Sequence, residues 1–179
     1  MEDIVFEVFM SALPVFFQRE IQNITDNVSE RNLCGRLLHY IERELEKTEL
    51  SHYHVDNEYN RKQGGQVKTI INKEEVVVTI TCDLLIHSRG EVVQHDNLLA
   101  LEMKKSTARE TEKQSDKRSL CALTAIPYER VWSFGGIVHP EHVCGYKVGI
   151  YMEINRQEHN CYYERYRHGE LLYSWTENF

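Results

Sequence analysis

The stretch from Cys82 to Lys105 constrains this chain more than any other. An apolar, β-branched run (Val76, Val77, Val78, Ile80) leads to Asp83 and on to Ile86. After a turn around Gly90, a second apolar run carries Glu102-Met103-Lys104. Segments of this composition, bounded by a glycine turn, predict strands. The pattern places one long strand over Glu75–Ile86. It places an antiparallel partner over Asn97–Lys104, closing across a loop at Gly90–Asp96.

That pairing carries a chemistry. Side chains at i and i+2 of a strand share a face, so Glu102 and Lys104 point one way and Leu101 and Met103 the other. Asp83 and Glu102 are 19 positions apart, enough for two strands and a turn. If the hairpin closes, the two carboxylates converge. They then repel, and at least one pKa rises unless a cation lies between them. An oxygen-only site suits a hard divalent ion, Mg²⁺ or Mn²⁺, with the Met103 carbonyl as a further donor. Such an ion polarises a phosphodiester and acidifies a bound water. Lys104 would orient that water or offset charge on the phosphate. The competing reading is an ordinary Glu–Lys surface pair on an edge strand.

The flanking segments read as helices. Ile4, Val5, Val8, Phe9, Ala12 and Leu13 recur at helical spacing, and Pro14 is expected to break the run before a second short helix over Val15–Ile24. This stripe packs on the core or, if exposed, forms a dimer contact. Ser29 is a good N-cap for a helix to about Lys47, with Leu33, Leu37, Tyr40, Ile41 and Leu45 as its apolar stripe. Glu30 and Glu44 fall within that stripe. Glu30 sits in the first turn, where the helix dipole favours a negative charge; alternatively it is a carboxylate aimed at a metal, with Glu44 ranked second for that role.

His52–Asn60 reads as a strand, ending at Arg61-Lys62 and a Gly64-Gly65 turn; Val67–Ile71 pairs with the 75–86 segment or leads into it. Ala108–Leu123 is a polar helix whose Arg109, Lys113 and Lys117 share one face, either solvated or contacting phosphates. An extended segment over Val131–Val138, a buried strand over Tyr146–Ile154 and a terminal hairpin around His168-Gly169 complete the chain. The order predicts an α/β domain on a mixed sheet.

Composition bounds the rest. At 179 residues, with 41% hydrophobic and 27% charged residues, the chain is expected to form one domain. Its net charge of −7 does not attract polyanions at long range, so a nucleic-acid enzyme of this charge needs a local basic patch or bound cations. Cys34, Cys82, Cys121, Cys144 and Cys161 lack CxxC spacing and are odd in number, which predicts free thiols. There is no basic leader and no run of membrane-spanning length, so a cytoplasmic location and no membrane partner are expected. His139, His142 and Cys144 lack a fourth zinc ligand, no context supports a Cys–His nucleophile at Cys34, and Gly64-Gly65 and Gly135-Gly136 are isolated pairs.

The residues also resemble a family. Asp83-LLIH followed by NLLAL-Glu102-Met103-Lys104 resembles the core motif of the PD-(D/E)XK nuclease superfamily, the restriction-endonuclease-like fold. SERNLCGRLLHYIE from Ser29, VDNEYNR from Val55, IHSRG from Ile86 and NLLALEMKK from Asn97 resemble the blocks of a poorly characterised bacterial branch of it, over roughly 29–154. The resemblance implies an α-β-β-β-α-β core on a mixed sheet with flanking helices. Residues 1–28 would be an N-terminal helical extension and 155–179 a C-terminal hairpin, all in one domain. It implies Asp83 and Glu102 as metal ligands, Glu30 as the first-helix glutamate and Lys104 as the catalytic lysine. Arg61 and His87 become candidate substrate contacts. Cys82 stands where the superfamily name has proline, which places a thiol beside the expected metal.

The expected activity is therefore Mg²⁺- or Mn²⁺-dependent hydrolysis of nucleic acid, DNA before RNA. The alternatives are a catalytically silent or partner-dependent binding module on the same fold, and a nuclease homodimer joined through the N-terminal helices.

Overall fold

The structure is a computed structural model that describes residues 1–57, 69–71, 77–79, 82–126 and 145–179. Arg61, both glycine pairs, the 131–138 segment and the His139/His142/Cys144 group lie outside the described residues.

The elements run α1 (Glu2–Thr25), α2 (Glu30–Leu45), β1 (His54–Asn57), β2 (Thr69–Ile71), β3 (Val77–Thr79), β4 (Leu84–His87), β5 (Asn97–Lys105), α3 (Glu110–Thr124), β6 (Val148–Asn155), β7 (Asn160–Arg167) and β8 (Glu170–Asn178). A six-stranded mixed sheet has the order β1-β4-β5-β6-β7-β8. Its neighbours are antiparallel except β5 and β6, which run parallel. Parallel neighbours need a crossover, and α3 lies within this one.

The sheet has two unlike faces. Leu84, Ile86, Leu99, Leu101, Met103, Val148, Ile150 and Met152 pack with α1 and α2 in the main core. Leu85, Ala100, Tyr151 and Tyr166 pack with Leu120 and Leu123 of α3 in a smaller one. Strand alternation accounts for the division from Leu99 onward, since Leu99, Leu101 and Met103 enter one layer and Ala100 the other.

Two expectations are corrected. Pro14 does not end the first helix, for α1 continues through it to Thr25. Pro14 is exposed, whereas Val5, Val8, Phe9, Ala12, Leu13, Phe16, Phe17 and Ile24 are buried along one face. A proline inside a helix costs about 3 kcal/mol. Burial of Phe16, Phe17 and Ile24 beyond it, at about 1.5–3 kcal/mol each, outweighs that cost. The stripe offered as a dimer contact is thereby covered within the chain's own core.

The long strand over 75–86 is also divided. β3 pairs antiparallel with β2 in a separate two-stranded sheet, and only β4 joins the main sheet. Asp83 consequently stands at the entrance of β4 instead of ending the β-branched run.

Other expectations hold. The Ser29 side chain accepts from the Asn32 N–H at 3.2 Å, capping α2, and Leu33, Leu37, Tyr40, Ile41 and Leu45 are its buried stripe. His168 and Gly169 turn the terminal hairpin with φ of 53° and 81°, a left-handed pair that a two-residue loop requires. Cys34, Cys82, Cys121 and Cys161 are free thiols. Among the described residues no helix is long and apolar enough to cross a membrane.

Candidate active site

The register of β4 and β5 builds the site. Leu84 lies opposite Leu101 and Leu85 opposite Ala100, which brings Asp83 level with Glu102 on the α3 side of the sheet. The two carboxylates are locked by reciprocal backbone contacts. Asp83 Oδ2 accepts from the Met103 N–H at 2.9 Å, and the Glu102 carboxylate accepts from the Asp83 N–H. Glu102 is only 4% exposed. Burial pushes its carboxyl well above the usual range, and the nearby Asp83 and Asp116 push it further. Asp83 is raised too, by burial first and then by Asp116 and Glu30, against the pull of the Met103 N–H and Lys104.

Lys104 follows on the same face. Its Nζ lies 2.9 Å from Asp116 Oδ2 on α3 and 3.6 Å from Glu30 Oε2 on α2. Burial alone would lower the ammonium's pKa, but the Asp116 contact and the surrounding carboxylates raise it. Glu30 Oε1 accepts from the Lys105 N–H at 2.8 Å, so the start of α2 is tied to the end of β5. Glu44, the other candidate on α2, pairs with Lys47 at 2.7 Å.

Asp83, Glu102, Glu30 and Asp116 thus surround a single ammonium, Lys104. Fully ionised, these carboxylates would outnumber the lysine; burial first, then their mutual repulsion, raises Asp83, Glu102 and Asp116, and their donors are hard oxygens. Among the described residues no three His, Cys, Asp or Glu side chains converge into a ready metal cage. Magnesium-type ions bind commonly through one or two carboxylates and keep several waters. Asp83 and Glu102 therefore fit such an ion without a third protein ligand, while Glu30 faces Lys104 and Lys105.

The thiols stand aside. Cys82 Sγ is 3.1 Å from the Leu101 carbonyl, buried in the α3-side core. Cys34 Sγ contacts Met103 Sδ at 3.6 Å in the other core. Burial, reinforced by Asp83 and Glu102, raises both thiols and keeps them protonated.

The basic face of α3 is used internally. Lys113 reaches Glu153 at 2.8 Å and Lys117 reaches Glu164 at 2.7 Å, while exposed Arg109 pairs with Glu112. Both inner lysines are therefore bound to carboxylates of β6 and β7, a structural use in place of both the solvated face and the phosphate-contacting stripe that the spacing allowed. Glu164 also accepts from Tyr162 and Tyr166, and its carboxyl is held low despite burial, by Lys117 and these hydroxyls.

His87 lies at the other end of β4 from Asp83, about 13 Å away at the usual rise per strand residue. It is buried, with Nε2 2.8 Å from Asp56, which also receives Arg89 at 2.6 Å. Asp116 is the residue that sequence reasoning missed. Its signal was spacing: Lys113, Asp116, Lys117, Leu120, Leu123 and Thr124 form one helical stripe, in which three charged residues occupy core-facing positions. No known protein family, curated protein or solved structure matches the chain.

Proposed function

We propose that this protein is a divalent-metal-dependent nuclease of restriction-endonuclease-like fold that hydrolyses phosphodiesters of nucleic acid. The observation that carries the reading is the apposition of Asp83 and Glu102 on paired strands, with Lys104 on the same face. With the separate β2–β3 pair left out, the order α2-β1-β4-β5-α3-β6 agrees with the α-β-β-β-α-β core that the resemblance implies. Preference for DNA over RNA rests on the resemblance alone.

A Mg²⁺ or Mn²⁺ ion held by Asp83 and Glu102 would supply Lewis acidity and an acidified water. The chain's own groups do the rest. Asp83 and Glu102 present oxygen donors fixed by backbone hydrogen bonds. Lys104, steadied by Asp116, offers a positive charge to a phosphate oxygen as negative charge develops there. The test is cleavage by Asp83→Ala: loss of activity in a folded variant supports the assignment, and retained activity overturns it.

A second reading, a non-catalytic binding module, is favoured by one observation. Lys104 is already bound to Asp116, and among the described residues no full metal cage is formed. A folded protein that binds nucleic acid with a steep salt dependence, yet cleaves none with either metal, would select it.

A further inference from the structure

Most cations described in this acidic protein meet a carboxylate: Arg36, Lys47, Arg89, Lys104, Lys113, Lys117 and Arg165 all do. Lys105 and Arg156 are among those that do not, and these two share one cleft. Lys105 Nζ donates to the Asn27 carbonyl at 3.1 Å, and Arg156 Nη1 to the Thr25 carbonyl at 3.2 Å. Both partners are carbonyls at the carboxyl end of α1, whose dipole favours a cation, and neither cation meets a carboxylate among the described residues. The cleft is floored by Ile24, Leu33 and Ile154, with Ser106 on its wall. The Ser106 N–H closes the β5–β6 ladder on the Ile154 carbonyl at 2.9 Å.

The place matters as much as the charge. β5 and β6 are the parallel pair of the sheet, and the cleft opens at their carboxyl ends. In open α/β sheets ligands settle outside the carboxyl ends of the strands. Lys104 and Lys105 leave β5 on opposite faces, and Glu30 contacts both residues. A chain of phosphates crossing this end of the sheet would pass from the Lys104 side to the Lys105–Arg156 cleft.

We infer that the cleft between Lys105 and Arg156 binds a backbone phosphate of a nucleic-acid strand, next to the carboxylate site. The two cations offset the repulsion from the carboxylates next door. Identification of the anion as a phosphodiester rests on the nuclease reading of that neighbouring site.

The test is binding of a short fluorescein-labelled single-stranded DNA to the full chain in EDTA, followed by anisotropy across a salt series. Lys105→Gln and Arg156→Gln remove the charge but keep an amide donor for the α1 carbonyls. Each should weaken binding about 5- to 10-fold. The double variant should lower the slope of log K against log salt by about 1.4, two phosphate contacts at about 0.7 each for single strands. Arg118→Gln, at an exposed position of α3, should leave binding unchanged. If the glutamine variants melt early, Lys105→Glu and Arg156→Glu at a temperature where both are folded replace them, with a larger loss expected. Unchanged affinity and slope in the double variant would overturn the inference, as would equal loss from Arg118→Gln or no binding by the wild type at low salt. Slope loss in a protein that never cleaves would sustain the cleft and remove the nuclease reading. Cleavage that depends on Asp83, with binding indifferent to Lys105 and Arg156, would do the reverse.

Discussion

Lys104 Nζ on β5 and Asp116 Oδ2 on α3 are 2.9 Å apart, an ion pair that joins the candidate lysine to the helix covering its side of the sheet. It makes α3 part of the site's construction. Lys113 and Lys117 on the same helix are bound to Glu153 and Glu164, so α3 is docked through charges above and beside Lys104.

Asp116→Asn should leave metal affinity nearly intact and lower the cleavage rate about 10-fold. Hydrogen bonds to charged groups contribute about 1.5–3 kcal/mol, and about 1.4 kcal/mol is a factor of ten in rate. Single-turnover cleavage measured beside Mn²⁺ titration separates the two effects. Equal loss of Mn²⁺ affinity would place Asp116 among the ligands instead.

The raised carboxyls predict a pH dependence. A group whose folded pKa lies above its unfolded value adds stability at low pH and loses it as pH rises through the folded value. Asp83 and Glu102 are both of this kind, so they weaken the metal-free fold near neutrality and above. Glu102→Gln should raise the melting temperature in EDTA above neutral pH. Mn²⁺ should raise that of the wild type and leave Glu102→Gln nearly unmoved. Melting curves with and without Mn²⁺ check both signs.

Glu164 predicts the opposite. Its folded carboxyl is held below the usual range, so its contribution is present above the unfolded pKa and lost as pH falls through the folded one. Lys117→Met leaves a buried carboxylate without its cation and should cost about 3 kcal/mol at neutral pH, the lower end for a broken buried pair. The loss should shrink in acid, where Glu164 is protonated, as urea unfolding at two pH values would show.

Gly149 sets how closely α3 approaches the sheet. A Cβ there would lie 2.8 Å from Thr124 Cγ2 and 3.0 Å from Tyr166 Cβ. Gly149→Ala should cost about 2 kcal/mol by overpacking, lowering the melting temperature by about 4–8 °C. An unchanged melting temperature would mean that α3 yields without cost.

The apposition of Asp83 and Glu102 was legible because strand alternation and one hairpin suffice to place it. The cap at Ser29 and the stripe of α2 were legible for the same local reason. Pro14 misled because the burial that carries α1 past it comes from tertiary packing. The division of the 75–86 run misled because β-branched composition marks strands without saying which sheet each joins. Asp116 needed the inverse of the usual rule, that a charged residue at a core-facing position implies a buried partner. Lys113 and Lys117 illustrate it too, since their basic stripe faces Glu153 and Glu164 instead of solvent.

The most direct measurement is cleavage of single- and double-stranded DNA and RNA with Mg²⁺ and with Mn²⁺, beside Lys104→Ala and an EDTA control. The account predicts metal-dependent cleavage, stronger on DNA, that is lost in both controls. Cleavage that survives EDTA or Lys104→Ala, or none at all from the folded wild type on any substrate, would contradict it.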